Sequence, residues 1–337
     1  MIYPQRGDKV AVYYRHPRLD GTMAAAVAMA VFSGDYELED GYAPPGSFDV
    51  DYIPAAHGKT YMPDVDIYDL VYVLDFSFSG EELFNYVNWN SGPNGDNRQP
   101  GPDIVVIDHH ASSIKEIWEY REDIEDRHEM LVFDEGIELV LDTSKSGARL
   151  TFEYFSEAFA KKSDRAVPPA VLYVEDRDLW KFDYAFTKPF CAALGIAPMT
   201  PRCFSEQVLK RTGAGVTELV ETGRHLLEAQ AARIEKYILP NVYESRIFLP
   251  AVGYSDIYVV NTSTDISEAA QMIIEERGTN RVVLWHAQSD GYVKLDFRSS
   301  GPEYPVDALA KSFGGGGHPC ASGARISLED FLASDLI

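Results

Sequence analysis

Asp108, His109 and His110 directly follow the apolar run IVVI at residues 104–107. Four consecutive apolar β-formers that do not alternate with polar residues are typical of a strand covered on both faces. In open α/β sheets, ligands bind just beyond the carboxyl ends of the strands. The triplet therefore predicts a metal or phosphate site, although a solvent-exposed turn that happens to hold two histidines would show the same residues.

Further acids and histidines follow the other apolar runs. These residues are His16 and Asp20 after the first run, Asp75 after the second, and Asp176 and Asp178 after the run AVLYV. Each one alone is more typical of a strand-end cap or a loop, but the ends of parallel strands meet along one edge of a sheet. Carboxylate and imidazole groups together are ligands of cations such as Mn²⁺ and Mg²⁺, and no thiolate accompanies them.

A second candidate site is the four-glycine run that begins at residue 314. Glycine lets backbone amides approach a phosphate closely, although a flexible turn explains the glycines equally well. A nearby arginine could bind a phosphate through two hydrogen bonds, and the serine beside it adds a hydroxyl donor. The candidate phosphate ligands are Arg298, Ser299, Gly315, Gly316, Gly317 and His318.

Alternating strands and helices position the first set of residues. The predicted strands are 9–16, 70–79 and 103–110, and the predicted helices are 21–32 and 146–160. Residues 168–180 begin as either a helix or a strand, and the Gly-, Pro- and Asn-rich residues 89–102 are predicted to be a loop. This order predicts an α/β fold with a mostly parallel, doubly wound sheet.

The remaining residues predict a second, smaller α/β domain. Residues 204–238 have helical spacing and are predicted to connect the two domains. Beyond Pro240, the predicted elements are strands at 257–263, 281–288 and 291–300 and a helix at 266–277, with a hairpin between the last two strands. The predicted boundaries are 1–195 for a metal-binding domain, 196–240 for a helical linker and 241–337 for a substrate-binding domain.

Composition limits the possible partners. The 53 acidic and 30 basic residues give a net charge of −23, and no basic stripe suited to long duplex nucleic acid is present. An anionic substrate is therefore expected to be small and held locally, although surface acids also serve solubility. Three scattered cysteines and the lack of a long apolar run predict a cytoplasmic protein with no membrane partner.

Four motifs in order resemble the DHH phosphoesterase family, and particularly its oligoribonuclease-like members. They are VLDFSFS, IDHH, VEDRDLW and the pair VKLDFRSS and GGGGHPCASG. The resemblance covers nearly the whole chain. It implies a metal-dependent hydrolase with two lobes, an active site in the cleft between them, and a carboxy-terminal domain that holds a phosphate or a base. A homodimer is compatible with this interpretation.

The resemblance also implies roles for individual residues. Asp20, Asp75, His109 and Asp176 would hold Mn²⁺ or Mg²⁺. His110 would orient the site or contact the scissile phosphate, and Asp108 would support the imidazoles. Trp180 and Phe297 could stack on bases, but a place in the core is the simpler expectation for both.

The first family motif departs from its usual pair of acids. If Asp20 and Gly21 match the family's Asp–Gly pair, Arg18 replaces an acid and is expected to face the substrate phosphate. If His16 and Asp20 match instead, His16 becomes a metal ligand and Thr22 replaces the second acid. We favour the first alignment. Depending on which alignment holds, the site would bind one or two ions.

The predicted activity is hydrolysis of phosphodiester bonds in short single-stranded oligonucleotides or dinucleotides. One alternative is a phosphatase acting on polyphosphate or a nucleoside bisphosphate. A second alternative is a metal-poor protein that binds nucleotides without catalysis.

Overall fold

The computed structural model describes residues 1–56, 60, 62, 67–88, 102–120, 130–133, 136–249 and 253–336. The chain divides into two compact units, Met1–Leu226 and Leu227–Ile337. Each unit contains a sheet and helices, which confirms the predicted α/β class. Within the described part of the chain, every helix is too short or too polar to span a lipid bilayer.

The first unit contains a six-stranded sheet with the order β2-β1-β3-β4-β6-β5. Its strands are β1 (Lys9–Arg15), β2 (Asp49–Ala55), β3 (Leu70–Leu74), β4 (Asp103–Asp108), β5 (Met130–Phe133) and β6 (Ile137–Leu141). All neighbouring strands are parallel except β5 and β6. The five residues of β3 are all buried, as a strand covered on both faces requires.

Helices cover both faces of this sheet, and two separate apolar clusters fill the layers between helices and strands. The helices are α1 (Leu19–Phe32), α2 (Gly80–Asn88), α3 (Ala111–Tyr120), α4 (Gly147–Ser156), α5 (Pro169–Asp178), α6 (Thr187–Leu194), α7 (Pro201–Phe204) and α8 (Ala214–Arg233). Helix α1 is apolar around most of its circumference and is buried along most of its length. The doubly wound arrangement predicted from the sequence is confirmed.

Several elements differ from the prediction. Strand β3 ends at Leu74, so Asp75 starts the following loop. Strands β2 and β6 had no sequence-based prediction, while residues 169–178 form a helix, one of the two alternatives that the sequence left open. In the predicted loop, residues 89–101 lie outside the described part of the chain.

The second unit contains a mixed sheet with the order β11-β12-β10-β9-β8-β7, in which only β8 and β9 pair in parallel. Its strands are β7 (Tyr243–Leu249), β8 (Gly253–Asn261), β9 (Arg281–Ala287), β10 (Tyr292–Ser299), β11 (Gly316–His318) and β12 (Ala321–Ser327). Its further helices are α9 (Ile266–Arg277), α10 (Asp307–Ser312) and α11 (Leu328–Leu332). The predicted hairpin is the antiparallel pair β9 and β10.

Candidate functional site

Three carboxylates converge on one nitrogen of His109. Its Nε2 atom lies 3.1 Å from Asp75 Oδ1, 3.4 Å from Asp178 Oδ2 and 3.7 Å from Asp20 Oδ2. The side chains of His109, Asp20 and Asp75 are at most 9% exposed, while that of Asp178 is 35% exposed. One edge of the cluster therefore remains accessible to a small molecule.

Asp75 reaches this cluster from the end of β3. Its backbone φ is +53°, a left-handed conformation that residues other than glycine rarely adopt. The Asp75 amide donates to Ile107 O of the neighbouring strand at 2.9 Å, which holds the turn in place. Such strain is often found at functional sites, where the surrounding structure maintains it.

Gly147 allows helix α4 to begin directly against Asp75. A Cβ at position 147 would lie 2.6 Å from the Asp75 Cβ and 2.9 Å from its Cα. No side chain fits at that distance without displacement of one segment. Gly147 therefore keeps Asp75 and the amino terminus of α4 in close contact.

Asp20 connects the first turn of α1 with the start of α4. Its two carboxylate oxygens accept hydrogen bonds from the amides of Gly147 at 2.7 Å and Ala148 at 3.0 Å. Gly21 is packed so tightly that a Cβ there would lie 2.3 Å from Arg15 O at the end of β1. The Asp20–Gly21 pair thus fixes a carboxylate at the point where β1, α1 and α4 meet.

Asp178, rather than Asp176, supplies the carboxylate from α5. The carboxylate of Asp176 instead accepts hydrogen bonds from the amides of Asp183 at 2.8 Å and Tyr184 at 3.2 Å, and from the hydroxyl of Thr187. These bonds organise the loop after α5. The structure therefore brings Asp178 to His109 and does not bring Asp176 there.

A second chain of contacts runs from Asp108 through His110 to Arg15. Asp108 Oδ1 lies 2.6 Å from His110 Nδ1 and also accepts the amide hydrogens of His109 at 2.8 Å and His110 at 3.2 Å. Arg15 Nη1 contacts His110 Nε2 on the other side of the ring. Both ring nitrogens of His110 are thus engaged, and Asp108 supports this imidazole through its side chain.

The charges in the cluster are poorly compensated without a cation. Burial, reinforced by the charge of Asp20, raises the pKa of Asp75 well above its ordinary value. Burial and Asp20 also raise the pKa of Asp178 to about 6, although His109, His110 and Arg15 oppose this effect. Burial acts in the same direction on Asp108, but the hydrogen bonds and charge of His110 outweigh it and lower its pKa.

The donor set fits a hard or borderline divalent cation. Two ligands at right angles around an ion, each about 2.1 Å from it, lie about 3.0 Å apart. The separations of 3.1 and 3.4 Å from His109 Nε2 to Asp75 and Asp178 are close to that value. Among the residues that the structure describes, two overlapping groups could hold a metal, namely Asp20 with His109 and Asp178, and Asp75 with His109 and His110. The engaged nitrogens of His110 favour the first group, completed by Asp75.

The residues that distinguish the two alignments of the first motif do not enter the cluster. The Arg18 side chain is exposed, and it forms no ion pair with another residue that the structure describes. His16 packs edge-on against Tyr14, with ring centroids 5.9 Å apart. Thr22 is buried, and its hydroxyl has no hydrogen-bond partner within the described structure. The arginine that reaches the site is Arg15.

In the second unit, Arg298 is held by its own sheet. Its Nη1 donates to Phe297 O at 3.0 Å and to Ser322 O at 3.4 Å, and its Nη2 lies 3.6 Å from Asp296 Oδ1. Ser299 donates its hydroxyl to Gly301 O at 3.1 Å. The Arg298 side chain is only partly exposed, at 21%.

The glycine run has structural roles that the sequence did not reveal. The Gly315 amide donates to Ala310 O at 2.9 Å, so it is not free for a phosphate. A Cβ at Gly315 would lie 2.1 Å from Gly323 O, and Gly317 has a φ of +144°. Gly316 has open space around it, and His318 is exposed.

The two aromatic candidates differ in exposure. Phe297 is fully buried and stacks on Phe313 in the core of the second unit. This agrees with the expectation that Phe297 is a core residue. Trp180, by contrast, is 62% exposed. It is therefore not a core residue.

Sequence patterns could have indicated two of the three site residues that the sequence analysis did not select. Asp178 lies on the same side of α5 as Val171 and Val174, at spacings of three and four, whereas Asp176 lies on the other side, although Asp176 is the more buried of the two acids. Arg15 ends a buried strand at the same sheet edge as the predicted acids. Gly147 carried no signal, because its importance comes from a contact distant in sequence.

The chain matches a family model over part of its length. Residues 253–334 match the DHHA1 domain. A stretch of 96 residues is 30% identical to the bifunctional oligoribonuclease and PAP phosphatase NrnA of Bacillus subtilis, and 296 residues are 22% identical to the uncharacterized protein R106 of Acanthamoeba polyphaga mimivirus. These alignments cover 28% and 82% of this chain. The chain spans 30% and 59% of the length of these two relatives.

Solved structures of similar extent include a pGpG-specific phosphodiesterase from Vibrio cholerae, at 13% identity and a TM-score of 0.48, covering 96% of this chain and 95% of that one. An exopolyphosphatase-related protein from Bacteroides fragilis has 15% identity and a TM-score of 0.48, covering 96% and 89% of the two chains. The match identifies residues 253–334 as a DHHA1 domain, and the similarity to NrnA agrees with the resemblance of the ordered motifs to the DHH phosphoesterase family.

Proposed function

We propose that this protein is a metal-dependent hydrolase of phosphoester bonds in short oligonucleotides or dinucleotides. The observation that carries the proposal is the convergence of Asp20, Asp75 and Asp178 on His109 Nε2, within 3.7 Å. A cluster of three carboxylates in a largely buried position is strongly destabilised unless a cation compensates it. The DHHA1 domain and the similarity to an oligoribonuclease and PAP phosphatase support hydrolysis as the reaction.

Asp20, Asp75, His109 and Asp178 would hold one Mn²⁺ or Mg²⁺ ion. When bound, such a cation makes water a nucleophile at neutral pH and neutralises charge on phosphoryl oxygens. Asp20 is kept in place by two amides of α4, and Asp75 by its contact with Gly147. The partial exposure of Asp178 leaves room for a substrate phosphate at the open edge.

Asp108 and His110 would orient Arg15 toward that phosphate. Asp108 is fully buried and accepts from Nδ1 of His110, which keeps the proton on that nitrogen. His110 Nε2 is then an acceptor, and it receives a hydrogen bond from Arg15 Nη1. The remaining N–H groups of the guanidinium can bind a phosphoryl oxygen, since arginine stays charged at any physiological pH. This proposal transfers the role predicted for Arg18 to Arg15.

The proposed substrate class rests on the relative from Bacillus subtilis, whose name describes an oligoribonuclease and PAP phosphatase. That second activity keeps a nucleoside bisphosphate as the alternative substrate. Arg298 and His318 in the DHHA1 domain are proposed to bind a phosphate or a terminal nucleotide. The cytoplasmic location and a homodimer remain predictions.

A substrate panel tests the proposal. Metal-free protein, supplied with Mn²⁺, would be assayed on RNA and DNA oligomers of two to ten nucleotides, a nucleoside bisphosphate and polyphosphate. We expect turnover of the short oligomers, its loss in Asp75→Asn, and full retention in the control Asp40→Asn, which changes an exposed loop acid. Turnover that is independent of added metal and of Asp75 would contradict the proposal.

A further inference from the structure

The loop that follows α5 presents several aromatic rings to solvent. We call residues 179–186 the aromatic loop. Trp180 is 62% exposed, Tyr184 47% and Phe186 43%. Isolated exposed apolar residues are common on protein surfaces, whereas a cluster of them often marks a binding site.

The aromatic loop has a defined conformation. Asp176 accepts hydrogen bonds from the amides of Asp183 and Tyr184 through its carboxylate, and its backbone oxygen accepts from the Lys181 amide at 2.9 Å. The same carboxylate accepts a hydrogen bond from the hydroxyl of Thr187 at the start of α6. The rings are therefore held in place.

Two of the aromatic residues have strained backbones. Trp180 has a φ of +56° and Phe182 a φ of +55°. The left-handed conformation is unfavourable for L-residues with large side chains. Strain of this kind concentrates at ligand-binding positions, where surrounding bonds maintain it.

The rings fall into two groups by their partners. Tyr184 packs edge-on against Tyr173, and Phe186 lies under the guanidinium of Arg224, 5.8 Å away. Trp180 and Phe182 pack edge-on against each other, with centroids 4.8 Å apart. The Trp180 ring thus has a neighbour on one side and remains mostly exposed.

A positive charge accompanies this ring pair. Lys188 Nζ lies 5.0 Å from the centroid of the Phe182 ring. An exposed indole whose neighbouring ring lies beside an ammonium group matches the two parts of a nucleotide, because a base has a π-face and its phosphate is anionic. Inorganic polyphosphate offers no surface that could stack on the indole.

The position of Trp180 in the chain connects it to the metal cluster. It follows Asp178 by two residues, so their Cα atoms are at most about 7 Å apart. Asp178 Oδ2 itself lies 3.4 Å from His109 Nε2. A nucleotide whose phosphate lies at the cluster can therefore place its base against the loop.

We propose that Trp180, backed by Phe182, stacks on a nucleobase of the substrate whose phosphate binds at the His109 cluster. The inference rests on the proposed function for the phosphate position, and it narrows the substrate class to compounds that carry a base. Asp176 acts as a positioning residue for this platform. Lys188 contributes charge for a neighbouring phosphate of the same ligand.

Binding measurements test the proposal without turnover. Isothermal titration with Mn²⁺ present would compare a dinucleotide that has a phosphorothioate linkage with tripolyphosphate. Stacking of one base on an aromatic ring corresponds to roughly a 5- to 150-fold change in Kd. We expect Trp180→Ala to weaken dinucleotide binding within that range, Trp180→Phe to restore most of it, and tripolyphosphate binding to stay unchanged in both.

The matched control is Tyr237→Ala, which removes an aromatic ring that is 61% exposed and lies in the second unit. The thermal midpoint and the Mn²⁺-induced shift of each variant show whether the fold and the metal cluster are intact. Unchanged dinucleotide affinity in Trp180→Ala would overturn the proposal. An equal loss of dinucleotide and tripolyphosphate binding, or a change from dimer to monomer on gel filtration, would overturn it as well.

This design distinguishes a failure of the stacking proposal from a failure of the proposed function. If wild-type protein binds the dinucleotide through Trp180 but hydrolyses nothing in the substrate panel, the stacking inference stands and the proposed function is wrong. If the panel shows hydrolysis while Trp180→Ala binds as tightly as wild type, the proposed function stands without the stacking site.

Discussion

Asp176 and Asp178 lie two residues apart at the end of α5 but have different partners. Asp178 Oδ2 lies 3.4 Å from His109 Nε2, whereas Asp176 Oδ1 accepts the Asp183 amide at 2.8 Å. Residues at i and i+2 of a helix point in nearly opposite directions, so only one of them can face the cluster. The two acids therefore have separable functions, one in the metal cluster and the other in the aromatic loop.

The first prediction concerns this pair. Asp178→Asn should weaken Mn²⁺ binding by at least about 10- to 100-fold, because even residues that support metal ligands have effects of that size. Asp176→Asn should leave Mn²⁺ affinity within a few-fold of wild type and lower the thermal midpoint. Titration calorimetry measures the Mn²⁺ affinity of both variants. A larger loss of metal affinity in Asp176→Asn than in Asp178→Asn would contradict the assignment.

The second prediction concerns Gly147. Gly147→Ala places a Cβ 2.6 Å from the Asp75 Cβ, so α4 or Asp75 must move. We expect a loss of about 1–3 kcal/mol in the free energy of unfolding, as overpacking produces, together with weaker Mn²⁺ binding. Urea denaturation with and without Mn²⁺ measures both effects.

Gly316→Ala is the matched control, because a Cβ at Gly316 meets no atom within 4 Å. Its unfolding free energy should equal or slightly exceed that of wild type. Equal stability of the two variants would show that the contact between Gly147 and Asp75 is looser than described.

The third prediction separates Arg15 from Arg18. Arg15→Gln should lower kcat roughly 100-fold, the usual effect of removing one preorganised donor to a developing charge. Its Mn²⁺ affinity should be equal or tighter, since a positive charge next to the carboxylates is removed. Arg18→Gln should change neither quantity by more than about twofold, because this side chain is exposed and is not part of the candidate metal groups. Steady-state kinetics and calorimetry on the two variants show which of the two arginines acts in catalysis. A larger effect on kcat in Arg18→Gln than in Arg15→Gln would support the role predicted for Arg18 from the sequence.

The fourth prediction concerns the DHHA1 domain. Arg298→Ala should raise KM about 10-fold or more and leave kcat nearly unchanged, as expected when binding is lost equally in the ground and transition states. Arg325→Ala is a suitable control, since Arg325 pairs with Asp290 at an exposed position of the same sheet. Unaltered kinetics in Arg298→Ala would exclude this arginine from substrate binding.

Much of the fold was predictable from local patterns. The apolar runs of β3 and β4 are strands because residues buried on both faces form continuous hydrophobic stretches. Asp75 and His109 follow these parallel strands, so their proximity was predictable from the order of the elements. The strands β2 and β6 were not predicted, because polar residues interrupt their apolar patterns.

Other parts of the site depend on tertiary contacts. The rotation of α5 about its axis decides between Asp176 and Asp178, and packing of Val171 and Val174 fixes that rotation. The choice of Arg15 over Arg18 depends on where β1 ends relative to β4. In the second unit, the Gly315 amide is used by α10, a contact that glycine spacing alone does not reveal.

Metal-dependent hydrolysis at the His109 cluster is tested most directly by a titration of metal-free protein with Mn²⁺, in which heat of binding and cleavage of a dinucleotide are followed together. We predict that about one ion binds per chain, that hydrolysis rises in parallel with occupancy, and that Asp75→Asn abolishes both signals. Full hydrolysis in the presence of a chelator, or in Asp75→Asn protein, would contradict the proposed site.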